Sequence, residues 1–242
     1  MNSEPFTLES PEPAQAAAPV VVPVGSLDLR HADCMDVMRE FPDKYFDLAI
    51  VDPPYGIDCA KTINIKNEKR WFSGATLHQA KEWDDEIPPA DYFIELARVS
   101  KHRIIWGGNY FTEHLRPTKA WIFWSKKETK SQGSKFSDGE LAWTSTKNVT
   151  RQFDYGWIGI DYCNKDEKKQ HPTQKPVALY RWLLANYAEP GMKILDTHLG
   201  SGSHAIACHY AGMHLTGCEI DADYFREGME RVKRETAQTT LF

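Results

Sequence analysis

Two stretches of this sequence contain residue types that can act on an unreactive amine. The first is Asp52-Pro53-Pro54-Tyr55, directly after the apolar run Phe46–Val51. An exocyclic amine of a nucleobase is a poor nucleophile because its lone pair is delocalised into the ring. A catalyst must accept hydrogen bonds from that NH2 and favour a tetrahedral nitrogen. The Asp52 carboxylate and the Pro53 carbonyl can do both. The prolines stiffen the loop, and Tyr55 offers an aromatic face to a base drawn out of its stack. A bare Asp-Pro is often only a capped turn, but the whole tetrad after a buried strand asks for more than a turn.

The second stretch is Asp196-Thr197-His198-Leu199-Gly200-Ser201-Gly202-Ser203, between a strand and a helix. Glycine lets backbone approach a ligand closely. About 20 residues on, the next strand ends in Glu219, where a carboxylate can accept both hydroxyl hydrogens of a ribose. The third glycine of a dinucleotide fingerprint and the Gly-Lys-Ser/Thr of a phosphate loop are both missing. An acidic loop suits a cofactor that carries an amine and no phosphate, and S-adenosylmethionine has that chemistry. Taken alone, the stretch reads equally well as a helix-opening turn in an unrelated α/β protein.

Alternating elements must position these loops. Strands are expected at Leu27–Arg30, Phe46–Val51, Arg103–Trp106, Ala120–Trp124, Glu140–Thr144, Met192–Leu195 and Leu215–Cys218. Helices are expected over Cys34–Phe41, Asp91–Val99, Pro176–Ala188, His204–Tyr210 and Ala222–Arg234. This alternation predicts an α/β fold, a mostly parallel doubly wound sheet with helices on both faces. Residues 1–24, rich in Pro, Ala, Glu and Ser, read as a disordered arm. Residues 57–88 and 125–170 read as inserted loops in a domain spanning 25–235, followed by a tail over 236–242.

The motifs together resemble the S-adenosylmethionine-dependent amino methyltransferases of DNA. Asp52, Pro53, Pro54 and Tyr55 match that family's catalytic motif. Asp196–Ser203 with Glu219 and Ile220 resembles its cofactor loop and ribose-binding carboxylate. His171-Pro172-Thr173-Gln174-Lys175-Pro176 matches the segment that closes over the methionine part of the cofactor, and Asp33-Cys34 the segment beside the adenine. The resemblance therefore implies a Rossmann-like methyltransferase fold. It implies cofactor contacts from Asp33, Cys34, His171, Thr173, Gln174, Lys175, Asp196, His198, Gly200, Ser201, Gly202, Glu219 and Ile220. The catalytic motif precedes the cofactor loop, the circularly permuted order called the β class. In that order Asp196 and Glu219 end the first two strands of the fold, and Leu27–Arg30 and Phe46–Val51 supply the third and fourth. Two departures stand out. Thr197-His198 replaces the usual Pro and aromatic residue, and the target-recognition region is short.

With 29 Lys+Arg against 34 Asp+Glu, the chain has a formal charge of −5, so a DNA partner must be met by locally concentrated positive charge. Lys61, Lys66, Lys69 and Arg70 form one group. Lys126, Lys127, Lys130 and Lys135 form another. Either group reads as phosphate contacts or as a solvated face. The five cysteines lack any Cys-x-x-Cys pair and read as reduced thiols of a cytoplasmic protein, and the histidines show no metal-ligand spacing, so no metal is assigned. Neither a membrane helix nor a secretory signal is expected.

The expected activity is methylation of adenine N6 in duplex DNA. The rivals are cytosine N4, RNA or protein amides as targets, and an inactive DNA-binding protein. A homodimer and a partner nuclease are open. The terminal Gln238-Thr239-Thr240-Leu241-Phe242 reads as a tail folded back on the domain, or as a peptide for the hydrophobic groove of a sliding clamp.

Overall fold

The computed structural model describes residues 25–57, 86–126, 137–146, 149–158, 162–163 and 174–237. The 1–24 arm, most of both inserted loops and the terminal Gln238–Phe242 lie outside them. So do His171, Thr173, Lys61, Lys66, Lys69, Arg70, Lys127, Lys130 and Lys135. Among the described residues no helix is long and apolar enough to cross a membrane.

The strands are β1 (Leu27–His31), β2 (Phe46–Val51), β3 (Ser100–Trp106), β4 (Trp121–Ser125), β5 (Gly139–Thr144), β6 (Arg151–Asp154), β7 (Trp157–Ile158), β8 (Tyr162–Cys163), β9 (Lys193–Asp196) and β10 (His214–Glu219). The helices are α1 (Cys34–Arg39), α2 (Ala90–Val99), α3 (Val177–Tyr187), α4 (Ser203–Ala211) and α5 (Ala222–Thr236). An eight-stranded sheet runs in the order β1-β10-β9-β2-β3-β5-β4-β6, and β7 pairs with β8 separately. Pairing is parallel from β1 through β3, antiparallel on both sides of β5, and parallel again between β4 and β6. This is the Rossmann-like methyltransferase arrangement. The strand that ends in Asp196 lies between β10 and β2, as the permuted order requires.

Side-chain alternation along the strands divides the core into two layers. Leu48 and Ile50 of β2 face a cluster with Ile104, Ile194 and α3 residues Leu179, Leu183 and Leu184. Ala49 and Val51 face the opposite way, toward Met38 of α1 and Tyr92, Phe93 and Leu96 of α2. With both faces covered, β2 must be apolar at nearly every position, which is why it reads as a continuous run. Its ladder breaks at Pro53 and Pro54, which carry no N–H.

β3 is longer than its apolar part suggests. Phe46 and Leu48 are in register with Ser100 and His102, so polar residues extend the ladder while Lys101 and His102 stay exposed. β6 was not expected. Arg-Gln-Phe-Asp has no apolar alternation to reveal it, and it holds the sheet edge by pairing with Ile122–Ser125.

Candidate active site

β9 and β2 are neighbours in the sheet, with Leu48 opposite Ile194 and Ala49 opposite Leu195. From β9 the sheet continues to β10 and β1 on one side, and from β2 to β3 on the other. The strand order thus reverses between them, and ligands of open α/β sheets sit outside the carboxyl ends at such a point. The Asp52–Tyr55 loop leaves one of these ends and the Asp196–Ser203 loop leaves the other.

Asp52 is largely enclosed, with 19% of its side chain exposed. Its Oδ1 accepts a hydrogen bond from the Tyr55 hydroxyl at 2.6 Å. Its Oδ2 lies 2.5 Å from the Lys175 ammonium, whose side chain is 4% exposed. That ammonium also lies 3.1 Å from Glu140 Oε2 and donates to the Tyr55 hydroxyl at 3.2 Å. Glu140 pairs in turn with Lys126. Two carboxylates and two ammonium groups therefore alternate in one partly buried chain, in which each charge has an opposite neighbour. Burial pushes the Glu140 carboxyl up, but Lys175 and Lys126 together hold it down at about 2. Burial pushes Asp52 upward more than Lys175 pulls it down. Burial works against the charge of Lys175, but Asp52 and Glu140 keep its pKa above the ordinary value. Asp52 is thus the carboxyl of this pair that can take up a proton.

Tyr55 is held by its ring as well as its hydroxyl. Tyr110 stacks on it with centroids 5.2 Å apart and planes at 15°, and Phe111 meets it edge-on at 6.1 Å. Gly107 lies close against the same ring: a Cβ there would sit 2.2 Å from Tyr55 Cε1, and its φ is +70°. Only glycine meets both demands.

The second loop is built differently. The two oxygens of Asp196 are already engaged, Oδ1 by the His198 N–H at 3.0 Å and Oδ2 by His204 Nδ1 at 2.9 Å. His204 lies flat against Tyr180, with centroids 4.6 Å apart. Burial pushes His198 down to about 4, so its ring is neutral. It contacts Thr197 Oγ1 through Nδ1 and meets Tyr92 edge-on. Glu219 accepts the Gly200 N–H on Oε2 at 2.9 Å and the Asp221 N–H on Oε1 at 3.0 Å. Burial raises its carboxyl, with these two bonds opposing. A Cβ at Gly200 would meet nothing within 4 Å, so this part of the loop faces open space. Gly202 instead backs onto α5, where a Cβ would come 2.6 Å from Val232 Cγ2. The fully buried Arg231 of α5 donates to Ser201 O, Ser201 Oγ and Ser203 Oγ at 3.1, 3.2 and 2.8 Å, and to Glu235 at 2.9 Å. The final helix thus fixes the loop from behind.

Asp33 caps α1 by accepting from the Met35 N–H at 2.7 Å, and the adjacent Ala32 N–H bonds Glu219 O at 3.1 Å, which draws Asp33 and Cys34 beside Glu219. Burial and Asp33 push the Cys34 thiol up to about 12. Ile220 is 62% exposed next to Glu219. Gln174 is buried, and its backbone carbonyl accepts from Trp157 Nε1 at 2.7 Å.

Several placements differ from the sequence expectations. Lys175, expected over the cofactor, is engaged with Asp52, Tyr55 and Glu140. Lys126, expected to face DNA, is paired with Glu140 and lies over the Trp124 ring. Gly202 and Ser201 serve the packing on α5. Tyr55 has a stacking partner already. Glu140, Arg231 and the Gly107–Tyr110 turn were missed. Glu140 had a usable signal, because it shares a strand face with the wholly buried Ala142.

The profile of a family described as DNA methylase, of the N6 and N4 type, matches residues 95–230, over half of the chain. A putative methylase of Escherichia coli (strain K12), YubD, is 23% identical over 206 residues, covering 83% of this chain and 87% of its own. The crystal structure of the M1.HpyAVI–SAM complex is 19% identical with a TM-score of 0.53, covering 85% of this chain and 100% of its own. The cytosine-N4-specific PvuII DNA methyltransferase is 11% identical with a TM-score of 0.55, covering 89% and 93%. These two structures share the fold with this chain.

Proposed function

The chain belongs to the N6/N4 DNA methylase family, and from that premise we propose that it transfers a methyl group from S-adenosylmethionine to the N6 amine of adenine in duplex DNA. The observation that carries this reading is the position of Asp52 and Pro53 at the end of β2, across the strand-order reversal from the Gly200 loop on β9. The residues fit the cofactor. Gly200 opens onto space, Glu219 presents a carboxylate beside it, and exposed Ile220 supplies an apolar surface for a purine. When bound, S-adenosylmethionine would supply an electrophilic methyl group on a sulfonium.

Glu219 would hold the ribose, Asp33 and Ile220 the adenine, and the Asp196–Ser203 backbone the amino-acid end. Asp52 and the Pro53 carbonyl accept the hydrogens of the target amine and orient its lone pair. The proton that nitrogen sheds goes to Asp52, whose carboxyl is raised by burial, or to water. Tyr55 supports the extruded base. The work is positioning and electrostatics.

The fold shared with a cytosine-N4-specific enzyme favours cytosine as the second reading, with the same chemistry. Incubating the protein with unmethylated DNA and labelled S-adenosylmethionine, then digesting to nucleosides, tests both. N6-methyladenine is expected, N4-methylcytosine would transfer the assignment to cytosine, and no label in DNA would overturn it. Lys61, Lys66, Lys69, Arg70, Lys127 and Lys130 are assigned to phosphate contacts. Reversing the charges of Lys66, Lys69 and Arg70 should flatten the salt dependence of DNA binding. Gln238–Phe242 is assigned to a sliding-clamp groove, for which a pull-down with and without Leu241 and Phe242 is the test.

A further inference from the structure

The Gly107-Gly108-Asn109-Tyr110 turn follows β3, and β3 is the parallel neighbour of β2, so this turn and the Asp52–Tyr55 loop leave the sheet side by side. The turn closes with the Tyr110 N–H on Gly107 O at 2.8 Å. It can lie this close only because its first two residues lack side chains. A Cβ at Gly107 would strike the Tyr55 ring, and one at Gly108 would come 2.5 Å from Trp143 Cβ. The result is a near-parallel aromatic pair, Tyr110 on Tyr55.

The two members of this pair are held differently. Tyr55 is fixed by Asp52 and Lys175 through its hydroxyl and by Phe111 at its ring. Tyr110 is 44% exposed, and among the described residues its hydroxyl has no hydrogen-bond partner. Its adjoining residue Asn109 is exposed too. Tyr110 is therefore the replaceable half of the stack. An extruded base needs the same kind of contact that Tyr110 makes: a planar ring at stacking distance from Tyr55, beside the Asp52 carboxylate.

We propose that Tyr110 is a stand-in for the target base, occupying its stacking place on Tyr55 in the DNA-free protein and leaving when the base enters. This rests on the base-methylating reading above. The exchange substitutes one stacked ring for another, so Tyr55 keeps a stacking partner throughout.

Truncating Tyr110 frees the place in advance. Tyr110→Ala should lower KM for DNA by about threefold to tenfold with kcat nearly unchanged, the factor expected when a competing aromatic contact is removed from the binding-competent state. Tyr110→Phe keeps the ring and should retain the wild-type KM. Once the recognition sequence is mapped, 2-aminopurine at the target position should fluoresce more strongly with Tyr110→Ala than with the wild type, reporting a larger extruded fraction. A raised KM in Tyr110→Ala with a wild-type-like Tyr110→Phe would make Tyr110 a second wall against the base and overturn the proposal. An unchanged KM would also overturn it. Should Tyr110→Ala melt early, Tyr110→Leu preserves an apolar side chain without a stacking plane and carries the same expectations. Failure of the wild type to methylate any DNA would instead refute the underlying reading, so the two failures are distinct.

Discussion

Replacing Lys175 with Met keeps most of the side-chain volume and removes the charge that lies 2.5 Å from Asp52 and 3.1 Å from Glu140. Glu140 retains Lys126. Asp52 loses its cation while remaining enclosed. Removing one member of a buried ion pair costs about 3–5 kcal/mol. Asp52 can escape that cost by binding a proton, and the escape sets a ceiling. Neutralising a carboxyl of ordinary pKa at about pH 8 takes about 5–6 kcal/mol, and the ceiling falls by about 1.4 kcal/mol for each unit of acidification. Burial already raises Asp52 above its ordinary value, and losing Lys175 raises it further. A carboxyl with a raised native pKa binds its proton more tightly when folded, so stability falls as pH rises from the unfolded to the native value. In urea unfolding, Lys175→Met should lie about 3–5 kcal/mol below the wild type near pH 8, with the gap narrowing by up to about 1.4 kcal/mol per unit toward about pH 5.5. Methyl transfer by the variant should run the other way, rising with pH as Asp52 ionises. A deficit under about 1 kcal/mol near pH 8, or one independent of pH, would refute the reasoning.

Glu219→Gln removes the charge from a group accepting two backbone N–H bonds; a loss of about 1.5–3 kcal/mol in S-adenosylmethionine affinity is expected by calorimetry, and unchanged affinity would take Glu219 out of the site. Gly107→Ala meets both a positive φ and the Tyr55 ring, so it should destabilise by more than Gly191→Ala, where φ is also positive but no atom lies within 4 Å; thermal melting should put the second at about 1 kcal/mol from strain alone. Arg231→Met should shrink the rise in melting temperature that S-adenosylmethionine confers, since the Gly200 loop loses its anchor on α5; an undiminished rise would show that the anchor is not needed for binding.

What the sequence disclosed and what it concealed follow from the range of the interactions. Buried parallel strands announce themselves by apolar runs, and the loops after β2 and β9 by residues that cannot continue a ladder or helix. Glu219 was readable because its spacing from Gly200 is a local property of one strand–helix–strand unit. The meeting of Asp52 with Lys175 and Glu140 was not readable. Glu140 comes from an antiparallel strand that follows the middle of the chain, Lys175 from the entry to α3, and only the packed sheet brings Asp52 and Glu140 to the same ammonium. Lys126 looked like a surface lysine because it borders a basic stretch, and its partner is set by the β4–β5 ladder. The packing of Gly202 and Ser201 on α5 was hidden for the same reason: their contacts belong to the final helix.

The placement of β9 and β10 also governs how the molecule can be born. β1 finds its partner only in β10, and β2, which pairs with β3 on one side, finds its other partner only in β9. Until residues 193–219 are made, β1 has no ladder and one edge of β2 is unpaired, with Leu48 and Ile50 waiting for the layer that α3, α4 and β9 complete. Such an edge is sticky, and contacts this distant in sequence form slowly. The exposed edge is therefore an aggregation hazard until β9 and β10 have been made. A premature stop before β9 removes the strand that carries Asp196 and leaves β2 as a sheet edge.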